Sequence, residues 1–279
     1  MDGGAVSGAV SIARRAGPFL GAAAGAAVGW GWFEAGWVRL RELELAVPGL
    51  PPALDGLRIA HLSDFHLGVP SRGGRAVERA VAWVEERRPD LVVVTGDLLS
   101  RPRAEPELRR HLERLGAPWL VLGNHDFAWS RDPFSRPVDF GNLEPARLLS
   151  DESVEIELRG VRVEIAGVNP LSWLRKRSSG FSGSDADFHL LLCHFPRALD
   201  YVPAGRWDLI LAGHMHAGQI VVPYGFGKLH LAHLGARYTE GVYRRGQTAM
   251  HVSPGLGTTF VPFRFCARPE ATELRLHCP

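Results

Sequence analysis

Cysteine is scarce in this chain of 279 residues, which has only Cys193, Cys266 and Cys278. No two of them stand in a CxxC spacing, which excludes the thiolate zinc sites built from such pairs. Cys193 ends the apolar run over residues 190–193 and is predicted to be a buried structural thiol. Cys266 and Cys278 could form a disulfide only in an oxidising compartment, so the cysteine count leaves the redox environment open.

An excess of charge of either sign is also missing. The 32 Lys and Arg residues nearly balance the 30 Asp and Glu residues, the net charge is +2, and no long basic run occurs. This balance argues against a nucleic-acid partner, because proteins that bind nucleic acid concentrate positive charge on one surface. Hydrophobic residues make up 46% of the chain, which indicates a globular protein with a sizeable core.

Residues 17–33 contain no charged residue, and Arg14 and Arg15 stand just before them. This stretch lies at the short end of the ~17–25 residues that a membrane-spanning helix needs. Tryptophans suit the membrane–water boundary, and here they are Trp30, Trp32 and Trp37. Three interpretations stay open: a membrane anchor, an export signal, and a helix buried in a soluble protein.

The chain is predicted to divide into three parts. Residues 1–40 form an N-terminal signal or membrane-anchor segment, and residues 41–56 form a linker because residues 47–52 are rich in proline. Residues 57–279 form one folded domain. We therefore expect the protein to associate with a membrane through its N-terminus, on a side that the sequence leaves open.

The pattern after residue 57 first alternates strands with helices and then turns to hairpins. Apolar alternation and short β-branched runs predict strands over residues 57–62, 91–94, 119–122, 190–193, 209–212 and 220–222. Helical spacing predicts helices over residues 74–88 and 106–115, and Gly-turned alternation predicts hairpins over residues 154–165 and 243–252. Residues 173–185 are predicted as a mobile surface loop. The mixture indicates an α/β fold with strands in two sheets.

Five of the predicted strands are followed directly by residues of the types that bind metals. These residues are Asp64 with His66, Asp97, Asn124 with His125 and Asp126, His194, and His214 with His216. Residues two apart share one face of a strand, so Asp64 and His66 can point at one ion, as can His214 and His216. Ligand sites of α/β sheets gather outside the carboxyl ends of their strands, so the five ends are expected to face one crevice.

The ligand types favour a pair of ions. Oxygen and imidazole ligands without thiolate suit Mn, Fe, Zn or Co. Seven ligands are too many for one tetrahedral ion, and two ions can clamp the attacking and leaving oxygens of a phosphoryl transfer. The other seven histidines are predicted to be surface or core residues.

In this order, the motifs DxH, GD, GNHD, H and GHxH resemble those of the calcineurin-like metallophosphoesterases, from Leu57 to the C-terminus. The resemblance implies two mixed β-sheets packed as a sandwich and flanked by helices, four layers in all. It also implies a dinuclear phosphoesterase that hydrolyses a phosphodiester or pyrophosphate bond. The implied ligands are Asp64, His66 and His216 for one ion and Asn124, His194 and His214 for the other, with Asp97 bridging. His125 would be the catalytic residue that is not a ligand, and Asp126 would orient His125 or a ligand.

One bacterial branch of this family is most similar. Asp97 is followed by Leu98 and Leu99 rather than by the GDxVDRG of the protein phosphatases, which argues against that activity. Residues 63–68 (SDFHLG), 213–219 (GHMHAGQ) and 255–257 (GLG) resemble the membrane-anchored or exported branch that includes UDP-2,3-diacylglucosamine hydrolases of lipid A assembly. The branch implies a lipid-linked or nucleotide-linked small-molecule substrate. The alternatives are a non-catalytic binding module on the same scaffold and a secreted general phosphatase.

Overall fold

The structure, a computed structural model, describes residues 21–176 and 184–279. Two six-stranded sheets form the body. The first has the strand order β1 (Arg39–Ala46), β14 (Glu270–His277), β2 (Arg58–Leu62), β3 (Leu91–Thr95), β4 (Trp119–Val121) and β5 (Arg147–Leu148). The second has the order β12 (Gly241–Arg245), β13 (Thr248–Val252), β9 (Leu209–Ala212), β8 (Phe188–Leu192), β7 (Val161–Gly167) and β6 (Glu152–Leu158).

Both sheets are mixed, and their parallel strands form the centre. Strands β2, β3, β4 and β5 are parallel, whereas β14 is antiparallel to β2. In the second sheet β7, β8, β9 and β13 are parallel, and the outer strands β6 and β12 are antiparallel to their neighbours. A separate antiparallel hairpin is formed by β10 (Val221–Tyr224) and β11 (Gly227–His230).

Four layers pack around hydrophobic cores between the sheets and under the helices. Ile59 and Val93 of the first sheet pack with Leu190 and Leu211 of the second, so the sheets face each other. The first sheet also carries α2 (Gly73–Arg87) and α3 (Glu105–Arg114) on its outer side, and the second carries α4 (Pro170–Lys176) and α5 (Ala198–Tyr201). This arrangement confirms the predicted α/β sandwich of two mixed sheets flanked by helices.

Two predicted irregular segments contain regular structure. Most of β1 lies inside the predicted linker, residues 41–56, and pairs with β14 along its whole length. The alternation of RLRELELA turns Leu43 and Leu45 inward, so this stretch is an edge strand rather than a free linker. The predicted loop over residues 173–185 begins inside α4, where Trp173 is buried. Residues 177–183 of that loop lie outside the described residues.

The N-terminal segment begins its described part with a helix over residues 21–34, here α1. Residues 21–30 are all exposed, so this part of α1 stands clear of the domain. Its other end is attached, because the backbone N–H of Ala267 donates to Glu34 Oε1 at 2.8 Å. No helix among residues 21–176 and 184–279 is long and apolar enough to cross a membrane. Residues 1–20 of the predicted anchor lie outside the described chain.

Candidate metal centre

The predicted ligands follow the carboxyl ends of parallel strands from both sheets. Asp64, Asp97, His194 and His214 each stand two residues beyond the end of β2, β3, β8 and β9. The pairing continues past the strands, since the Asp64 N–H donates to Gly96 O and the His66 N–H donates to Asp97 O, both at 2.9 Å. The strand ends therefore hold these side chains in fixed relative positions.

The backbone at these positions is strained. Positive φ angles, which side chains other than glycine rarely adopt, occur at Asp64, His66, Asp97, His214 and His216. Such strain costs energy and persists where the surroundings fix it, commonly at functional sites.

One cluster of metal-binding atoms joins the ends of β2, β3 and β9. It consists of Asp64, His66, Asp97 and His216, whose ligand atoms lie within 4.8 Å of one another. His66 Nε2 is 3.2 Å from His216 Nε2 and 3.4 Å from Asp97 Oδ2. Ser100 Oγ lies 3.1 Å from His66 Nδ1, which orients the ring with Nε2 toward the cluster.

A second cluster shares Asp97 with the first. It consists of Asp97, His194 and His214. His194 Nε2 is 3.2 Å from both Asp97 Oδ2 and His214 Nδ1. His194 Nδ1 donates to the Thr95 carbonyl at 2.8 Å, and because a carbonyl only accepts, the neutral ring keeps a lone pair on Nε2. Asp97 thus stands between two groups of imidazoles.

Two buried oxygen atoms at the clusters lack the partners that a metal ion would provide. Within the part of the chain that the structure describes, the buried atoms Asp97 Oδ2 and Asn124 Oδ1 have no hydrogen-bond partner. Unpaired buried oxygens are costly, and a cation would satisfy both. Burial raises the pKa of Asp64, which a neighbouring cation would reverse. The residues present therefore suit a dinuclear site.

Two glycines allow the motif loops to approach each other. A Cβ at Gly96, whose φ is +89°, would lie 2.6 Å from Gly123 N and 2.8 Å from His194 Nδ1. A Cβ at Gly257 would lie 2.8 Å from Asp64 O. Side chains at these positions would push the ligand-bearing loops apart.

His125 lies beside the clusters but belongs to neither of them. Its ring centroid is 4.8 Å from that of His66. Ser135 Oγ lies 2.7 Å and Ser130 Oγ 3.2 Å from His125 Nδ1, and the buried carboxylate of Asp132 lies 3.6 Å from the same atom. Burial lowers the pKa of His125 to about 4, so the ring is neutral at pH 7. Sequence reasoning did not find these three partners, which lie in an irregular loop.

Asp126 contacts backbone rather than the His125 ring. Its Oδ1 accepts from the N–H groups of Leu98 and Leu99 at 2.8 and 3.1 Å, and its Oδ2 accepts from Gly123 N at 2.8 Å. These bonds tie the loop after Asp97 to the loop that carries Asn124. Of the two roles predicted for Asp126, the contacts fit the one in which it orients ligands.

Arg264 is a buried residue that the motif analysis missed. Its guanidinium donates to the carbonyls of Gly257 at 2.7 and 2.9 Å, Pro254 and Ala267 at 3.0 Å, and His216 at 3.3 Å. It also lies 3.1 Å from His216 Nδ1. Burial lowers its pKa to about 10, so Arg264 stays charged at neutral pH. One side chain therefore joins the GLG loop to the last ligand.

A cavity of about 590 Å³ opens beside His214. Aromatic and apolar side chains form most of its wall, among them Trp173, Phe195, Tyr201, Leu234 and Tyr238. Arg197 and Arg237 add positive charge. His233, predicted as a surface or core residue, also lines it, with its ring centroid 5.9 Å from that of His214.

Comparisons with known proteins agree with this geometry. The family model for calcineurin-like phosphoesterases matches residues 57–218. The uncharacterized metallophosphoesterase YkoQ of Bacillus subtilis is 30% identical over 232 residues, covering 79% of this chain and 84% of YkoQ. A transmembrane protein with metallophosphoesterase domain from Danio rerio is 33% identical over 260 residues, covering 84% of this chain and 56% of that protein. A solved archaeal phosphodiesterase aligns with 71% of this chain and 84% of its own, at 12% identity and a TM-score of 0.35.

The matched region runs from the start of β2 to beyond His216 and so contains every residue of the two clusters. Family match, sandwich fold and clustered ligands all lead to one assignment. The chain belongs to the calcineurin-like phosphoesterase family and is a metal-dependent hydrolase of phosphoric esters.

Proposed function

We propose that this hydrolase cleaves a phosphodiester or pyrophosphate bond with two divalent ions, drawn from Mn, Fe, Zn and Co. Seven side chains would hold the ions: Asp64, His66 and His216 for one, Asn124, His194 and His214 for the other, and Asp97 for both. The observation that carries this proposal is the membership of Asp97 in both clusters, with an Oδ2 atom that lacks a hydrogen-bond partner among the described residues.

Other residues of the chain would assist the leaving oxygen and position the loops that carry the ligands. Two divalent ions bound at the clusters would draw negative charge from the phosphoryl oxygens of a bound ester. His125, neutral and held at Nδ1 by the Ser135 hydroxyl, carries its hydrogen on the other nitrogen and would donate a hydrogen bond from it to the leaving oxygen. Asp126 and Arg264 keep the loops of Asn124 and His216 in register through their backbone contacts.

The cavity beside His214 supports a substrate with a bulky aromatic or apolar group. Its aromatic wall suits a nucleobase or an acyl chain. Arg237 lies 3.7 Å from Asp200 in the same wall, so Arg197 is the guanidinium group that suits a further anionic group. A lipid-linked or nucleotide-linked phosphoester, such as UDP-2,3-diacylglucosamine, carries these features.

The proposal includes attachment of the protein to a membrane through residues 1–40. The exposed, uncharged part of α1 supports this attachment, because it leaves the domain without covering any of it. The Danio rerio relative is named as a transmembrane protein. A secreted general phosphatase, the alternative, would be recovered from cells as a soluble, processed chain.

The bridging role of Asp97 can be tested with Asp97→Asn. We expect the variant to bind one ion or none and to lose hydrolysis of bis-p-nitrophenyl phosphate, because the bridge contacts both ions. Asp187→Asn is a matched control, since the Asp187 carboxylate is half exposed and pairs with Arg162. Metal analysis and initial rates measure both properties. Two tightly bound ions with near-normal turnover in Asp97→Asn would disprove the bridge.

A further inference from the structure

One face of the β10–β11 hairpin is apolar and uncovered by the described chain. Val222 and Leu229 stand opposite each other in the hairpin register, and Tyr224 lies two residues further along the same face. Their exposed fractions are 46%, 42% and 62%, and Phe226 at the tip is fully exposed. Isolated exposed apolar residues are ordinary, but a contiguous patch marks an interaction surface.

At its base, the opposite face of the hairpin packs against the domain. Val221 is buried, and His230 lies so close to Gly218 that a Cβ at Gly218 would come within 2.8 Å of His230 Cβ. Gly218 follows His216 by two residues. The base of the hairpin is therefore fixed against the loop that carries His216.

The uncovered face is joined to the end of α1 through one short segment. Val221 N donates to Phe265 O at 2.9 Å, and the neighbouring Arg264 N donates to Gly31 O at 3.0 Å. The exposed residues around that end of α1 are Trp30, Trp32, Phe33 and Trp37. The hairpin and the uncharged N-terminal helix thus lie on either side of residues 264–265.

Basic side chains flank this surface at the end of α1 rather than on the hairpin. Lys228 of the hairpin pairs with Glu240 at 2.8 Å, so the hairpin itself carries little net charge. At the end of α1, the guanidinium of Arg72 lies over the Phe33 ring and that of Arg268 lies over the Trp37 ring. Phospholipid surfaces attract basic residues and repel carboxylates. An apolar face with aromatic residues and basic neighbours is typical of elements that lie in the membrane interface.

We propose that the apolar face of the β10–β11 hairpin enters the headgroup region of a phospholipid bilayer, beside the end of α1. The bilayer is favoured over a second protein because the uncharged N-terminal stretch ends at the same surface. This contact is separate from the attachment through residues 1–40. Leu234, which lines the cavity beside His214 and is 70% exposed, follows the end of β11 by four residues.

The experiment uses the full chain with a fluorophore (NBD) attached at Phe226→Cys. The exposed cysteines Cys266 and Cys278 are replaced by Ser. Val154→Cys carries the same label in the control, because Val154 is 39% exposed on β6, the outer strand of the second sheet. Vesicles of phosphatidylcholine and phosphatidylglycerol contain a doxyl-labelled lipid that quenches NBD on contact. We expect quenching at position 226 and none at 154.

Three outcomes decide the proposal. Absence of quenching at position 226 in protein that sediments with the vesicles would show that residues 1–40 alone reach the membrane. A concentration-dependent blue shift at 226 without vesicles would assign the face to a second copy of the chain. Val222→Ser combined with Phe226→Ser should weaken vesicle binding about tenfold or more relative to Val154→Ser. Soluble bis-p-nitrophenyl phosphate should still be hydrolysed, which shows that the variant is folded and separates this proposal from the hydrolytic one.

Discussion

The His125 ring is positioned by its own loop rather than by a strand. Asp132 Oδ1 accepts from Phe134 N at 2.8 Å, and Asp132 Oδ2 has no hydrogen-bond partner among the described residues although it lies 3.6 Å from His125 Nδ1. Together with Ser135 this carboxylate holds the side of the ring that faces away from a leaving group. A residue so held can act on the substrate without binding a metal.

For His125→Ala we expect both ions to stay bound while turnover falls by ~10²–10³-fold, the usual cost of removing one hydrogen-bond donor to a developing negative charge. The loss should be smallest for p-nitrophenyl esters, whose leaving oxygen needs no proton, and largest for alkyl diesters. His194→Ala is the comparison, and it should lose metal and slow on every substrate alike. Metal content and rates on a leaving-group series measure these effects. A loss of metal from His125→Ala, or an equal loss on all esters, would contradict the proposed role.

The sequence predicted the site residues that stand in recognisable motifs and missed the site residues that lie outside any motif. The seven proposed ligands and His125 follow strand ends in recognisable patterns. Asp132, Ser135 and Arg264 lie in irregular segments with no periodicity, and their partners are distant in sequence or are backbone atoms. Composition and spacing carry no signal for such contacts.

The first and last strands described along the chain form one edge of a sheet. β1 and β14 are parallel neighbours, and β14 also pairs with β2. The sequence predicted β2, β3 and β4 well, because strands buried on both faces appear as continuous apolar runs. It missed β1, whose exposed charged residues alternate with leucines and are typical of a linker as much as of an edge strand, and it missed β14, where the buried carboxylates Glu270 and Glu273 interrupt the apolar pattern.

Leu45→Ala tests whether β1 is part of the domain. Leu45 is 2% exposed in the core between the sheets, so its truncation should lower the free energy of unfolding by about 2–5 kcal/mol. Leu40→Ala on the same strand is the control, because Leu40 is 37% exposed and should change stability by less than about 0.5 kcal/mol. Urea unfolding measures both. Equal effects of the two substitutions would mean that β1 behaves as a linker.

The metal centre depends on the whole molecule, because each sheet supplies only part of it. Asp64, Asp97 and Asn124 come from the first sheet, and His194 and His214 come from the second. The sequence indicated that the strand ends converge, but it could not show which sheet each strand joins, since pairing such as β14 with β2 spans the length of the domain. Family resemblance supplied that arrangement.

Removal of the ions should destabilise the whole protein in a pH-dependent way. Although burial lowers the pKa of His194, the neighbouring Asp97 carboxylate outweighs that effect and raises the pKa to about 9. An ion must therefore displace a proton, and its apparent affinity should rise about tenfold per pH unit between pH 6.5 and 9. The His194 contribution to ion-free stability is fully present below about pH 6.5, its unfolded value, and is lost as pH rises through 9.

The rise in affinity increases the stabilisation by Mn²⁺ as pH rises. An ion at about 100 times its dissociation constant stabilises by about 2.7 kcal/mol, so a shift of several degrees in the unfolding temperature is expected at pH 8 and a smaller one at pH 6.5. Thermal unfolding with Mn²⁺ and with chelator measures the difference, and His194→Ala, which should bind the ion poorly, should show little Mn²⁺ shift at either pH. A shift that is constant over this range would show that His194 carries no proton in the ion-free protein.

The position of β14 between β1 and β2 has a consequence for synthesis. More than two hundred residues separate Ala46 from Glu270, and ribosomes add about 5–20 residues per second. For about 10–50 seconds after β1 is made, the strand that joins it to the sheet does not yet exist. During that time β1 lacks the strand with which it pairs among the described residues, so delivery of the N-terminus to a membrane during synthesis would precede closure of the sheet around β14.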